Sequence, residues 1–135
     1  MITAVDSNVL IDVLGADPHF GPMSRAALRQ CLHEGALIAC DAVFAEVVAA
    51  FPDATLTIEA ISRLPLAYSA GTREAAIRAG AAWRAYREAG GPRSRIVADF
   101  LVGAHALEQA DRLLTRDRGF QRLAFKDLVV LDPTT

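Results

Sequence analysis

Four carboxylates of this chain stand where an ionised acid is least comfortable. Asp6 closes the apolar run Ile2-Thr3-Ala4-Val5, and Glu46 is the only polar side chain between Ala42 and Ala50. Asp99 is the only charged residue between Ile96 and Leu107, and Asp117 follows Leu113-Leu114-Thr115-Arg116. Taking an ionised carboxylate out of water is costly unless something neutralises it. The chain has one lysine, Lys126, and no arginine inside the first two of these segments. A hard divalent cation shared by the four acids would relieve them all, because Mg²⁺ and Mn²⁺ take oxygen ligands. Such an ion activates a water molecule and offsets charge on a phosphoryl oxygen in transit. Taken singly, Asp6 and Asp117 read more simply as helix N-caps, and Asp99 could cap less well from several residues inside its helix. Glu46 could be a lone exposed residue on a buried helix. The four together favour a metal site.

The elements that must position these acids follow from apolar runs alternating with helical periodicity, the pattern of a mainly parallel sheet with helices on both faces. Ile2–Val5 reads as a first strand, and Asp6-Ser7-Asn8 starts a helix through Leu14. After the loop Gly15–Gly21, Pro22 opens a helix to about Glu34, stopped by Gly35. Ala36–Cys40 is a second strand, Asp41 caps the helix carrying Glu46, and Asp53–Arg63 forms another helix before Leu66–Tyr68. A long helix runs from Thr72 to about Ala89, where Gly90-Gly91-Pro92 breaks it. Ile96–Gln109 is the Asp99 helix, Arg112–Thr115 a strand, Asp117–Leu123 a short helix and Leu128–Leu131 a final strand. In an open parallel sheet, ligands bind beyond the carboxyl ends of the strands, which is where Asp6 and Asp117 fall. Glu46, a turn and a half into its helix, and Asp99, near the start of its own, can reach the same edge.

At 135 residues the chain has the length of a single domain, residues 1–135. Its 53% hydrophobic share leaves a small apolar surplus for a partner, a second copy of the chain among them. The N-terminus enters Met1-Ile2-Thr3-Ala4-Val5-Asp6 with no basic region or cleavable apolar core, and no segment reads as a membrane span. Cys31 and Cys40 lack a metal-binding spacing and read as free buried thiols. A cytoplasmic protein is expected. The net charge of −2 argues against a generic polycation that coats nucleic acid. Its distribution is uneven: residues 1–60 hold eight acids against Arg25 and Arg29, and the bases lie in the second half. That suits an enzyme holding a cation and a polyanion.

With these pieces in order, the chain resembles the PIN-domain family, specifically the VapC-type toxins of bacterial toxin–antitoxin pairs. The pieces are Val5-Asp6-Ser7-Asn8-Val9-Leu10-Ile11, Ala45-Glu46-Val47, Ala98-Asp99-Phe100-Leu101-Val102-Gly103-Ala104-His105-Ala106 and Leu114-Thr115-Arg116-Asp117-Arg118-Gly119-Phe120. Their order and spacing agree over nearly the whole chain. The resemblance implies a three-layer α/β/α sandwich and an endoribonuclease dependent on Mg²⁺ or Mn²⁺, cutting RNA by metal-activated water and leaving a 5′-phosphate. It implies Asp6 and Asp99 as principal metal ligands, Asp117 completing the site, and Glu46 orienting or deprotonating the water. Ser7, Asn8 and Thr115 match positions that hydrogen-bond these carboxylates or the scissile phosphate. A homodimer, silenced by a small cognate antitoxin, is implied as well. Arg116 departs from the pattern, since many relatives carry a small polar residue there.

Arginines around the acids would grip the RNA backbone away from the cut, and Arg93, Arg95, Arg116 and Arg118 are the expected contacts. An ordinary solvated helix face is the competing reading for each. Trp83 and Tyr86, three apart on the long helix, are expected to pack the core or a dimer seam rather than stack on bases. His105 points roughly opposite to Asp99 on their helix and is not expected to be a ligand. Asp12 is expected to face solvent. A phosphatase with an aspartyl nucleophile would want an acid where Asn8 stands, and a receiver domain would want paired acids after the first strand. A PIN-like module that binds RNA or protein without cutting would be expected to have lost one of the acids, and all four are present.

Overall fold

The computed structural model describes residues 1–135. Five parallel strands, β1 (Ile2–Val5), β2 (Ala36–Ala39), β3 (Leu66–Tyr68), β4 (Arg112–Leu114) and β5 (Val130–Leu131), form one sheet in the order β3-β2-β1-β4-β5. Helices α1 (Ser7–Leu14), α2 (Gly21–Glu34), α3 (Asp41–Ala49), α4 (Ala54–Ser62), α5 (Arg73–Glu88), α6 (Val97–Gln109) and α7 (Phe120–Ala124) flank it, giving the expected α/β/α sandwich. No helix is long and apolar enough to cross a membrane.

The central strands are covered on both faces, which is why they read as near-continuous apolar runs. Thr3, Ala4 and Val5 of β1 and Leu113 and Leu114 of β4 are all buried. Helix α6 closes over β1 and β4 and packs against α5 and α7. Its Gly103 is required by that closeness, since a Cβ there would overlap the side chains of Gln121 and Phe125. Gly35 is required for a similar reason: a Cβ would run into the backbone of Met1, whose carbonyl accepts from Ala36 N at 2.9 Å.

Trp83 and Tyr86 join the core as expected. Phe100 meets Trp83 at 6.4 Å and Tyr86 at 5.5 Å between ring centroids, and Phe120 stands edge-on to Phe100 at 5.0 Å. Both cysteines are free and buried. Asp53 and Thr72 cap α4 and α5, accepting from Leu56 N and Ala75 N at 3.0 Å each.

Several boundaries differ from expectation. Cys40, not Asp41, is the N-cap residue of α3, and the Asp41 carboxylate instead accepts from Gly71 N at 3.2 Å. Asp99 lies near the start of its helix, as expected, but caps it better than expected: it occupies the third position of α6, and its Oδ2 accepts from Ile96 N at 3.0 Å. The helix expected from Asp117 starts only at Phe120, because Gly119 takes φ +84° and turns the chain first. Strand β5 shrinks to two residues at the sheet edge, where only one neighbour supplies hydrogen bonds.

Candidate metal centre

The acidic site grows out of the register of the two central strands. Val5 of β1 pairs with Leu114 of β4, so the residues leaving those strands emerge side by side. Asp6 N still bonds to Leu114 O at 3.0 Å, extending the ladder one step beyond the strand. The next residue of β4, Thr115, then donates its hydroxyl to Asp6 Oδ2 at 2.7 Å. Asp6 also caps α1, its Oδ1 accepting from Ser7 N at 2.7 Å.

Three polar side chains fasten this junction. Ser7 Oγ lies 3.2 Å from Glu46 Oε1, tying α1 to α3. Asn8 donates Nδ2 to Thr115 Oγ1 at 3.1 Å and accepts Arg116 N on Oδ1 at the same distance. Thr115 Oγ1 accepts Asp117 N at 3.0 Å, which fixes the turn that carries Asp117. From α7, Gln121 Nε2 donates to the carbonyl of Asp99 at 3.1 Å and couples α7 to the Asp99 turn. Thus Ser7, Asn8 and Thr115 all hydrogen-bond within the acidic site.

Asp6, Glu46, Asp99 and Asp117 lie near enough at this edge to act on one another's charge. Burial raises the Asp6 carboxyl above its ordinary value, against the hydrogen bonds from Thr115 and Ser7, and the charges of Asp117 and Asp99 raise it further. Glu46 is raised by burial and then by Asp6 and Asp99. Asp117 is raised by burial, an effect Arg95 opposes and Asp99 reinforces. Acids that push one another toward protonation are the setting in which a hard cation gains most by neutralising them. The donor set, all carboxylate oxygen, fits Mg²⁺ or Mn²⁺. The carboxylates are nevertheless not drawn into a ready three-ligand group, and each accepts from a protein donor.

The arginines expected at the RNA divide. Arg93 is exposed and in no ion pair, and Arg118 pairs with Asp132 at 3.2 Å while remaining largely exposed. Arg95 turns inward to Asp117 at 2.8 Å. Arg116 takes a different direction altogether. Its guanidinium binds both oxygens of Asp12, Nε to Oδ2 at 2.7 Å and Nη2 to Oδ1 at 3.0 Å, and lies 3.9 Å from the centroid of Phe20.

Asp12 corrects the sequence reading. Far from facing solvent it is 3% exposed, accepting also from Ser24 Oγ at 2.8 Å. The available signal was its place in α1, four residues after Asn8 and hence on the same face, which meets the Thr115–Asp117 turn. His105 is buried, burial lowers its pKa, and its Nε2 has no partner.

A family model for the PIN domain matches residues 3–126. The chain belongs to the PIN-domain family. Among solved structures this PIN domain is similar to a chain of VapBC2 from Rickettsia felis bound to a DNA fragment from its promoter, with a TM-score of 0.76 at 17% identity and 98% of each chain covered. A chain of VapBC-1 from nontypeable Haemophilus influenzae gives 0.71 at 18% identity over the whole of both chains. A chain of FitAcB from Neisseria gonorrhoeae gives 0.69 at 20% identity and 99% coverage of each. At these identities the likeness is one of fold. No curated protein sequence matches the chain significantly.

Proposed function

We propose that this PIN domain, acting through the whole of residues 1–135, is a metal-dependent endoribonuclease and the toxin of a toxin–antitoxin pair. The observation that carries the reading is the meeting of Asp6, Glu46, Asp99 and Asp117 at the carboxyl edge of the sheet, where three of them are raised above their ordinary pKa. Asp6, Asp99 and Asp117 are the residues that would hold Mg²⁺ or Mn²⁺, an ion that would supply Lewis acidity to a water and to the phosphate.

The protein's own groups do the rest. Glu46, half-buried and steadied by Ser7, stands ready to take a proton from the attacking water. Thr115 and Asn8 hold the Asp6 carboxylate and the Asp117 turn in place, the positioning that in-line attack on phosphorus with departure of the 3′ oxygen requires. The products are a 3′-hydroxyl and a 5′-phosphate. Arg93 and Arg118, both exposed, are the arginines free to meet backbone phosphates away from the cut.

Structures of VapBC and FitAB complexes share this fold, which supports a cognate antitoxin as partner. A groove of about 180 Å³ on α1, α2 and β3, lined by Leu10, Leu28, Leu32 and Leu66 and edged by Arg25 and Arg29, suits an apolar partner segment bearing acids. Homodimerisation in the cytoplasm would cover exposed apolar side chains such as Leu56, Ile58 and Ile77.

The test is cleavage of a structured RNA by purified protein with Mn²⁺, repeated with chelator and with Asp99→Asn, whose carbonyl can still accept from Ile96 N. Cleavage should vanish in both. Cleavage that survives chelation and substitution sinks the metal mechanism. A second reading, a PIN module that binds RNA without cutting it, draws on the absence of a ready three-ligand group. It predicts no cleavage of any RNA and no heat of Mn²⁺ binding.

A further inference from the structure

Of the ion pairs in the chain, only Arg95–Asp117 involves a carboxylate of the acidic cluster. The contact is not a loose surface pair. The Asp117 side chain is 11% exposed, and Arg95 Nη1 sits 2.8 Å from its Oδ2. The guanidinium lies 4.3 Å from the centroid of Phe120, a buried ring held edge-on by Tyr86 at 5.5 Å and Phe100 at 5.0 Å. Arg95 is therefore seated between a carboxylate and a fixed aromatic wall.

The segment that delivers it is short. Residues 90–95 join α5 to α6, with Gly90 at φ +81° and Arg95 N bonded to Pro92 O at 3.3 Å. Consecutive residues at its end engage two acids: the Arg95 side chain holds Asp117, and Ile96 N holds Asp99 Oδ2 at 3.0 Å. In this arrangement no three acids are gathered into a ready metal-holding group.

We propose that Arg95 is an internal counter-ion that competes with the divalent cation for Asp117, so that the 90–95 segment gates loading of the metal centre. This rests on the metal-dependent reading above. A guanidinium on Oδ2 takes one of that oxygen's lone-pair sites and supplies the neutralising charge that a cation at Asp117 would otherwise supply. The two positive groups cannot share it at contact distance without strong repulsion. Metal entry therefore releases Arg95, whose fork of donors, still backed by Phe120, is then free for an entering phosphate. By linkage, a phosphate that engages Arg95 weakens its claim on Asp117 and favours the cation in turn. Arg95 is thus a positioning residue whose partner changes, from carboxylate in the resting protein to phosphate in the loaded one.

The experiment is calorimetric titration of the RNA-free protein with Mn²⁺ for the parent, Arg95→Gln, Arg95→Lys, Asp117→Asn and the double variant Arg95→Gln with Asp117→Asn. Gln keeps a planar group over Phe120 and so protects the fold if Arg95→Ala does not, and Lys keeps the charge. Arg95→Gln should bind Mn²⁺ about tenfold more tightly than the parent, the equivalent of about 1.4 kcal/mol. Arg95→Lys should stay near the parent, and the Gln effect should disappear in the Asp117→Asn background. Equal or weaker binding by Arg95→Gln, with the parent binding measurably, overturns the gate and leaves the metal site standing. Absence of Mn²⁺ binding by every variant overturns both.

Discussion

Replacing Arg116 by alanine distinguishes a structural arginine from an RNA-gripping one. In the parent, the Asp12 side chain is 4% exposed and Arg116 26% exposed. Without the guanidinium, Asp12 keeps one side-chain donor, Ser24 Oγ at 2.8 Å. Removing one member of a buried pair costs about 3–5 kcal/mol. The partial exposure of Arg116 lets water into the vacated space, which puts the loss near the lower figure, about 3 kcal/mol. Loss of the stacking on Phe20 adds about 0.5–1 kcal/mol. A domain of this size holds about 5–15 kcal/mol in all, so Arg116→Ala should remain folded but with a urea midpoint well below the parent and an unchanged slope. Asp12→Ala should cost less, because the arginine it strands can hydrate. The double variant should fall short of the sum by about 1–3 kcal/mol. RNA affinity, measured where the variant is folded, should keep both its value and its salt dependence. If Arg116→Ala were as stable as the parent yet lost RNA affinity, the guanidinium would be leaving Asp12 for phosphate and the structural assignment would be wrong.

Two further outcomes follow from the acidic site. Thr115→Val keeps the side-chain shape but removes the donor to Asp6 and the acceptor for Asn8 Nδ2 and Asp117 N. It should cost about 1–3 kcal/mol in a thermal melt, with Thr115→Ser restoring most of it. Glu46→Gln keeps an acceptor for Ser7 and removes a charge whose pKa burial and Asp6 raise. An acid with a raised folded pKa contributes stability that is full below its ordinary value and is lost as pH rises through the raised one. Glu46→Gln should therefore be the more stable of the two metal-free proteins at pH 7, and the gap should close on acidification toward the ordinary glutamate value. A gap that widens with acid would reverse the assigned sign.

Much of this site is legible in the sequence because of how parallel sheets end. An apolar run followed at once by an acid, Val5-Asp6 or Leu114-Thr115-Arg116-Asp117, marks a carboxyl edge, and in a parallel sheet all such edges lie together. What the runs cannot tell is that β1 and β4 are neighbours paired Val5 to Leu114, which makes Asp6 and Thr115 bond. Helix starts are legible where a capping side chain is present, as at Asp53 and Thr72, and less so at Gly119, which offers no side-chain cap.

The arginines are the harder case, and they show why. A guanidinium's charge says that it needs an anion without saying which, and both Arg95 and Arg116 lie beside the acids in sequence. The two differ in where their side chains are seated. Arg95 rests on Phe120, beyond the turn that carries Asp117, and meets that carboxylate. Arg116 rests on Phe20, at the entry to α2, and meets Asp12 on α1. In each case a phenylalanine face lies against the guanidinium and orients it, and the carboxylate within reach becomes the partner. Residue types near an acid therefore define the candidates, and the aromatic seats supplied by the surrounding elements decide between them. That division explains how one arginine can stabilise the frame around the acids while another, at the same edge of the sheet, stands on an acid that a cation would need.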